Sequence, residues 1–298
     1  MLGPSGFTSP CGLADVDPTE LGASVVGAWD EFLSLTTAAD LARPSRLSGL
    51  TCGELLIHLG TWDDHAVLSA LVEAARAGGG VEPSGEDNNP ALIAVHRDDD
   101  ILEALQRSRD ELAEWFAGPQ PVKLGRKLVR SSVGDLPLLS LLSAGSYELA
   151  VHALDVHAKP TDYLLQRGLA ALIDVTGRLA SKHEIAMTVT AQTPAGGWSF
   201  ASSVEGWRVT AVAPGPYEGV GVRGTAADLL DASAGRHAVP ALLLQRRLVV
   251  QHLPSFMKLA PIVSEVPGLP GGAALRAGIG GVSAVTGGVS KVLGRFFR

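Results

Sequence analysis

The hydrophobic period of this chain changes once, near residue 185, and that change limits it to a long helical part followed by a smaller mixed part. Before it, apolar residues recur at helical spacing in long segments; after it come short runs rich in Val, Thr, Trp and Phe, broken by Gly and Pro. The helical part reads as five segments. The first covers about 18–39, with Leu21, Val25, Trp29, Phe32 and Leu33 on one side. The second opens with Thr51 and Glu54 in capping-box spacing and runs from about Cys52 to Ala77, before Gly78–Gly80. The third starts at Asn89–Pro90 and reaches about 117, with the acids Asp98–Asp100 near its first turns. "GDLPLLSLLSAGSYELAVHALDVHAKP" supplies the fourth, ending before Pro160, and "TDYLLQRGLAALIDVTGRLASKH" the fifth. Long helices with short links predict an antiparallel bundle.

The runs "AMTVTAQT", "GWSFASS" and "WRVTAVA" predict strands, and "GTAADLLDASAGR" a helix beginning at Thr225 and stopping near Gly235. The expected organisation is a helical domain over 15–185, a small α+β domain over 186–265 and a Gly-rich basic tail over 266–298. The fold class expected for the whole is therefore α+β.

Charge is distributed unevenly. From Arg236 to the end there are eight basic residues against one acid, net +7, which leaves −14 on the rest of a chain whose total is −7. An acidic body argues against nucleic acid as a partner, because binding there needs a basic footprint. The tail ends in Leu293, Phe296 and Phe297 beside Lys291, Arg295 and Arg298, a composition suited to weak contact with an anionic membrane. Its many glycines oppose helix formation in water, so a flexible end is the plainer expectation. Cys11 and Cys52 are the only cysteines, too few for a disulfide framework, and the N-terminus lacks the basic flank and apolar core of a signal peptide. A cytoplasmic protein is expected.

Within the apolar fourth helix, "SYELAVHALDVH" places Glu148 and His152 four residues apart, so both point at a common object, and Asp155 continues the line one turn later. Burying these groups is costly unless each finds a partner. Three arrangements satisfy that requirement: a self-contained Glu–His hydrogen bond, an acid/base couple, or a metal site. His58, set among Leu55, Leu56, Ile57 and Leu59 of the second helix, is by itself a core histidine. If the second and fourth helices are neighbours, however, His58, Glu148 and His152 supply two imidazoles and a carboxylate, a donor set of catalytic zinc sites that leaves coordination positions open.

The stretch "LTCGELLIHLGTWDDH", followed about ninety residues later by "YELAVHALDVH", resembles the DinB-like metalloenzymes, in particular the mycothiol-dependent maleylpyruvate isomerase branch. The resemblance implies a four-helix bundle followed by a sterol-carrier-like domain, with His58, Glu148 and His152 as ligands of a divalent metal, commonly zinc. It further implies mycothiol as the thiol cofactor and a small electrophilic substrate, isomerised or conjugated through a metal-activated thiolate. Many members carry an arginine three residues before the metal-binding glutamate, where this chain has Gly145, so the same substrate does not follow. A non-catalytic small-molecule or lipid-binding protein is the alternative expectation.

Other residues compete for roles. Asp155 is positioned to orient the second ring nitrogen of His152 or to bond a neighbouring helix, the structural role being the simpler. His65 is a replacement ligand by spacing, although Asp63 and Asp64 place it nearer a polar edge. Arg223 and Arg236 bracket the helix of the second domain, where either could clamp a substrate carboxylate or, for Arg236, complement the helix C-terminus. His157 lies near a helix end, and His96, His183, His237 and His252 have no partner motif. Cys52 at a helix start has the position of a lowered thiol pKa, but no base is placed beside it.

Overall fold

A computed structural model of the protein describes residues 9–37, 39–78, 88–131 and 134–265. The basic tail, and with it the expectation of membrane contact, lies outside the described residues.

The first helix, α1 (Pro18–Thr37), is followed by a loop and a short α2 (Cys52–Leu56) that runs into a 3-10 turn, Ile57–Leu59. The chain then breaks before α3 (Val67–Ala77), so the single helix expected over 52–77 is two pieces. The cause is competition for carbonyls. Trp62 Nε1 donates to the Ile57 carbonyl (2.9 Å) and the Ser108 hydroxyl to the Leu59 carbonyl (2.8 Å), oxygens a continuing helix would have used. Gly60 allows the turn to lie close against Ala104, whose methyl would be only 2.8 Å from a Cβ at this position.

The third expected helix is likewise divided, into α4 (Asn88–His96) and α5 (Ile101–Ala117). Asp100 accepts the Glu103 amide (3.1 Å) and caps a new helix, a stronger local demand than the dipole effect expected of those acids. A short α6 (Gln120–Leu124) leads to a hairpin, β1 (Leu128–Ser131) and β2 (Gly134–Pro137), that occupies the beginning of the expected fourth helix. That helix, α7, runs over Leu138–Asp155, and α8 over Asp162–Lys182. α1 packs on α5 and α7, and α7 on α8. Gly168 of α8 permits the last contact, because an added Cβ would stand 2.6 Å from the Ala150 methyl.

Beyond α8 come β3 (Met187–Thr193), β4 (Gly196–Ser203) and β5 (Gly206–Val212), on the three runs expected to be strands. β6 (Gly221–Arg223) precedes α9 (Ala226–Ser233), capped by Thr225 as expected. α10 (Val239–Leu244), β7 (Val249–Gln251), α11 (Leu253–Phe256) and α12 (Ala260–Glu265) complete the described chain. The five strands form one sheet in the order β5-β4-β3-β6-β7, antiparallel except for the β3–β6 pair.

α8 joins the two parts. Its Leu164 and Ala170 belong to the core shared with Phe32, Leu56, Leu105 and Leu149, while its Leu169 and Ile173 belong to the core under the sheet with Phe200 and Leu242. α9 touches both α7 and α8, which brings the second part against the most buried helix of the first.

Candidate metal centre

His58 reaches the centre from a turn fixed at both ends. On one side Thr51 and Glu54 form the expected capping box, with Thr51 N–H donating to Glu54 Oε2 (2.9 Å) and Glu54 N–H to Thr51 Oγ1 (3.1 Å). On the other, the bonds from Trp62 and Ser108 hold the turn against α5. α7 supplies Glu148 and His152 at helical spacing, with Tyr147, Leu149, Val151 and Ala153 buried around them.

The three residues converge. One ligand atom from each of His58, Glu148 and His152 can be chosen so that all lie within 4.8 Å of one another. The imidazoles meet edge to face, with centroids 4.9 Å apart. Glu148 Oε2 lies 3.3 Å from His152 Nε2, and the Glu148 side chain keeps 36% of its surface accessible, against 6% for His152. The centre is therefore deep at His152 and open to solvent at the carboxylate, with His58 half-buried between.

Burial, reinforced by repulsion from His152, lowers the His58 pKa to about 4, so its imidazole is neutral near pH 7 and offers a lone pair. For His152, burial opposes the charged ring, but the hydrogen bonds it donates to Asp155 and Glu148 outweigh it and raise the pKa. Burial also works against the Glu148 carboxylate, yet its bond and attraction to His152, with smaller help from His58 and Arg236, hold its pKa below the ordinary value.

Asp155 is fully buried and lies behind His152, its Oδ2 3.1 Å from Nδ1. The same carboxylate receives Arg236, whose Nε donates to Oδ1 (3.0 Å) and Nη2 to Oδ2 (2.8 Å). Arg236 Nη1 also donates to the Ala234 carbonyl (3.0 Å) at the end of α9, so it does complement that helix C-terminus. The link to Asp155, across 81 residues, had no signal in the sequence.

The remaining candidates lie elsewhere. His65 pairs through its backbone with Trp62 and is outside the converging group. Arg223 is exposed at the end of β6. His157, just past α7, has its Nε2 3.2 Å from the Pro44 carbonyl. His96, given no role from sequence, stacks on Trp62 (4.2 Å) with its ring nitrogens 2.8 Å from Asp99 and 2.9 Å from Asp64, and so pins the segment that follows His58. Cys52 is fully buried and burial pushes its thiol pKa up, the opposite of the lowering its helix-start position suggested.

Fold and site together define a two-part protein whose helical part presents a His–Glu–His cluster, backed by an aspartate, to solvent. Residues 23–157, which contain the whole cluster, match the family model described as the mycothiol maleylpyruvate isomerase N-terminal domain, and this helical region belongs to that family. The solved crystal structure of the mycothiol-dependent maleylpyruvate isomerase is similar over 76% of this chain and 93% of that one, at 18% identity and a TM-score of 0.51. The structure of a histidine-to-alanine mutant of that isomerase is similar over the same shares, at 18% identity and a TM-score of 0.50. At such identity the likeness is one of fold. No curated protein matches the sequence significantly.

Proposed function

We propose that this protein is a metal-dependent enzyme that uses mycothiol as a thiol cofactor on a small electrophilic substrate, as an isomerase or a thiol transferase. In this reading the helices are a DinB-like four-helix bundle over residues 15–185, and residues 186–265 are a sterol-carrier-like domain. The reading also makes it a protein of the cytoplasm.

The convergence of His58, Glu148 and His152 carries the proposal. The donor set fits a divalent ion of borderline softness, zinc first: two imidazoles and one carboxylate, with the carboxylate side open. His58 offers a neutral imidazole, Glu148 an anionic oxygen, and His152 its Nε2, because Nδ1 is engaged by Asp155. When bound, such an ion supplies a Lewis acid that lowers the pKa of a coordinated thiol. The protein's own part is to hold the donors, fix the His152 ring and leave the Glu148 side open for thiol and substrate.

Metal analysis of protein purified without an affinity tag, followed by mass spectrometry of thiol adducts, tests this. About one equivalent of zinc is expected, lost in His58→Ala and in His152→Ala. Protein that is metal-free as purified and takes up neither zinc nor cobalt would overturn the reading.

A further inference from the structure

We propose that Arg236, contributed by the second part of the chain, is a positioning residue for the metal centre and acts through Asp155 on His152. This rests on the metal-binding reading above and adds a component that lies outside the family-matched segment 23–157.

Asp155 is 0% exposed, and its oxygens have two kinds of partner, the Arg236 fork and the His152 ring. A guanidinium fork fixes the plane of a carboxylate as well as its charge, since two nearly parallel N–H bonds leave it little rotation. An ionised carboxylate only accepts, so the His152 nitrogen 3.1 Å away must carry the hydrogen. With Nδ1 assigned as donor, the lone pair of the neutral ring falls on Nε2, the nitrogen that faces Glu148. The arginine thus selects, at one remove, which atom of His152 is available to a cation.

The arginine is itself held. Its backbone N–H donates to the Asp231 carbonyl (2.8 Å) and Nη1 to the Ala234 carbonyl (3.0 Å). Gly235, with φ +69°, supplies the left-handed residue that turns the chain off α9 and returns Arg236 toward α7. Two further contacts seat α9 and its end: the Tyr147 and Ser233 hydroxyls lie 3.1 Å apart, and Arg46 Nη2 donates to Asp231 Oδ2 (2.9 Å). With a side chain only 10% exposed and its fork on Asp155, Arg236 is not free to clamp a substrate carboxylate.

The test is cobalt(II) binding by the full chain, with affinity measured by competition with a chelator and geometry by the visible d–d spectrum. Arg236→Met is expected to weaken affinity by about 10- to 100-fold and to alter the spectrum, with Arg236→Lys, which keeps the charge without the fork, between it and wild type. Arg46→Met removes a different contact to α9 and is expected to retain wild-type affinity and spectrum. The proposal is overturned if Arg236→Met binds cobalt as wild type does, or if Arg46→Met weakens binding equally, since the effect would then belong to the seating of α9. Should Arg236→Met fail to fold, Arg236→Lys decides, and wild-type affinity in that variant overturns the proposal. A wild-type chain that takes up no metal defeats the metal-binding reading itself, whereas a loaded wild type with an unaffected Arg236→Met defeats only the relay.

Discussion

Replacing Asp174 by Asn should make the protein more stable relative to wild type as pH rises, which is unusual for loss of an acid. Asp174 lies on α8, fully buried, where Oδ1 accepts the Leu13 amide (2.9 Å) and the Trp207 indole N–H (2.7 Å). Oδ2 is buried without a hydrogen-bond partner in good geometry. Burial is the dominant effect and moves the pKa from the ordinary 3.8 to about 6, against the lowering by Ser140, the Leu13 amide and Trp207. That displacement corresponds to about 3 kcal/mol. The folded-state pKa lies above the unfolded one, so the folded state holds the proton more tightly between them, and stability falls as pH rises from about 4 to about 6 and then levels. Asn retains the acceptor for Leu13 and Trp207 but cannot ionise. Urea unfolding of both proteins at about pH 4 and about pH 8, followed by tryptophan fluorescence, isolates the group, because other titrations cancel in the difference. The variant's stability relative to wild type should improve by about 2–3 kcal/mol between the two conditions, since part of the change already lies below about pH 4. A difference that stays constant with pH, or moves the other way, refutes the reasoning.

Three further outcomes follow from the packing and the buried charges. Gly168→Ala, whose new methyl would stand 2.6 Å from that of Ala150, should force α7 and α8 apart and cost about 1–3 kcal/mol by chemical denaturation. In native protein an aromatic disulfide reagent should modify Cys11, which is partly accessible, and leave the fully buried, pKa-raised Cys52 until the chain unfolds. In chelator-treated protein, Asp155→Ala should cost about 3–5 kcal/mol by leaving Arg236 without its ion-pair partner, whereas Glu148→Gln should cost far less because water reaches that side chain; equal losses in a denaturation series would contradict this.

The parts of the site that were legible in the sequence are those whose signals are local. Thr51 and Glu54 are three residues apart and their capping box forms as read; Glu148 and His152 share a helix face through their spacing alone. The meeting of His58 with that pair required the two segments to be neighbours, and the family resemblance supplied what the spacing could not. The break after His58 was hidden because apolar residues continue through Leu59 and Trp62 at helical spacing. What ends the helix is a hydroxyl from α5 and an indole bent back on its own turn. The β1–β2 hairpin was hidden for a related reason, since Leu136 and Leu138 are as compatible with the start of an apolar helix as with a strand leading into one. Arg236 could be placed at the end of α9 from the Gly before it, but its partner lies 81 residues away and no periodicity reports such a distance.

The charges around α7 show why the two parts of the chain depend on each other. Glu148 and Asp155 have lowered pKa values and are ionised near neutrality; Arg236 is protonated, and the His152 pKa is raised. Two carboxylates and one guanidinium therefore surround the His152 imidazole beside an otherwise apolar helix, with His58 neutral next to it. Remove the second part and Asp155, buried at the end of α7, keeps only the imidazole, while the imidazole is shared between two acids. A carboxylate so placed either takes up a proton, and stops orienting His152 as an acceptor, or draws the end of α7 toward water. Either response moves the ligand atom that faces His58 and Glu148. The α+β part is thus required for the geometry of a centre to which it contributes none of the three converging side chains.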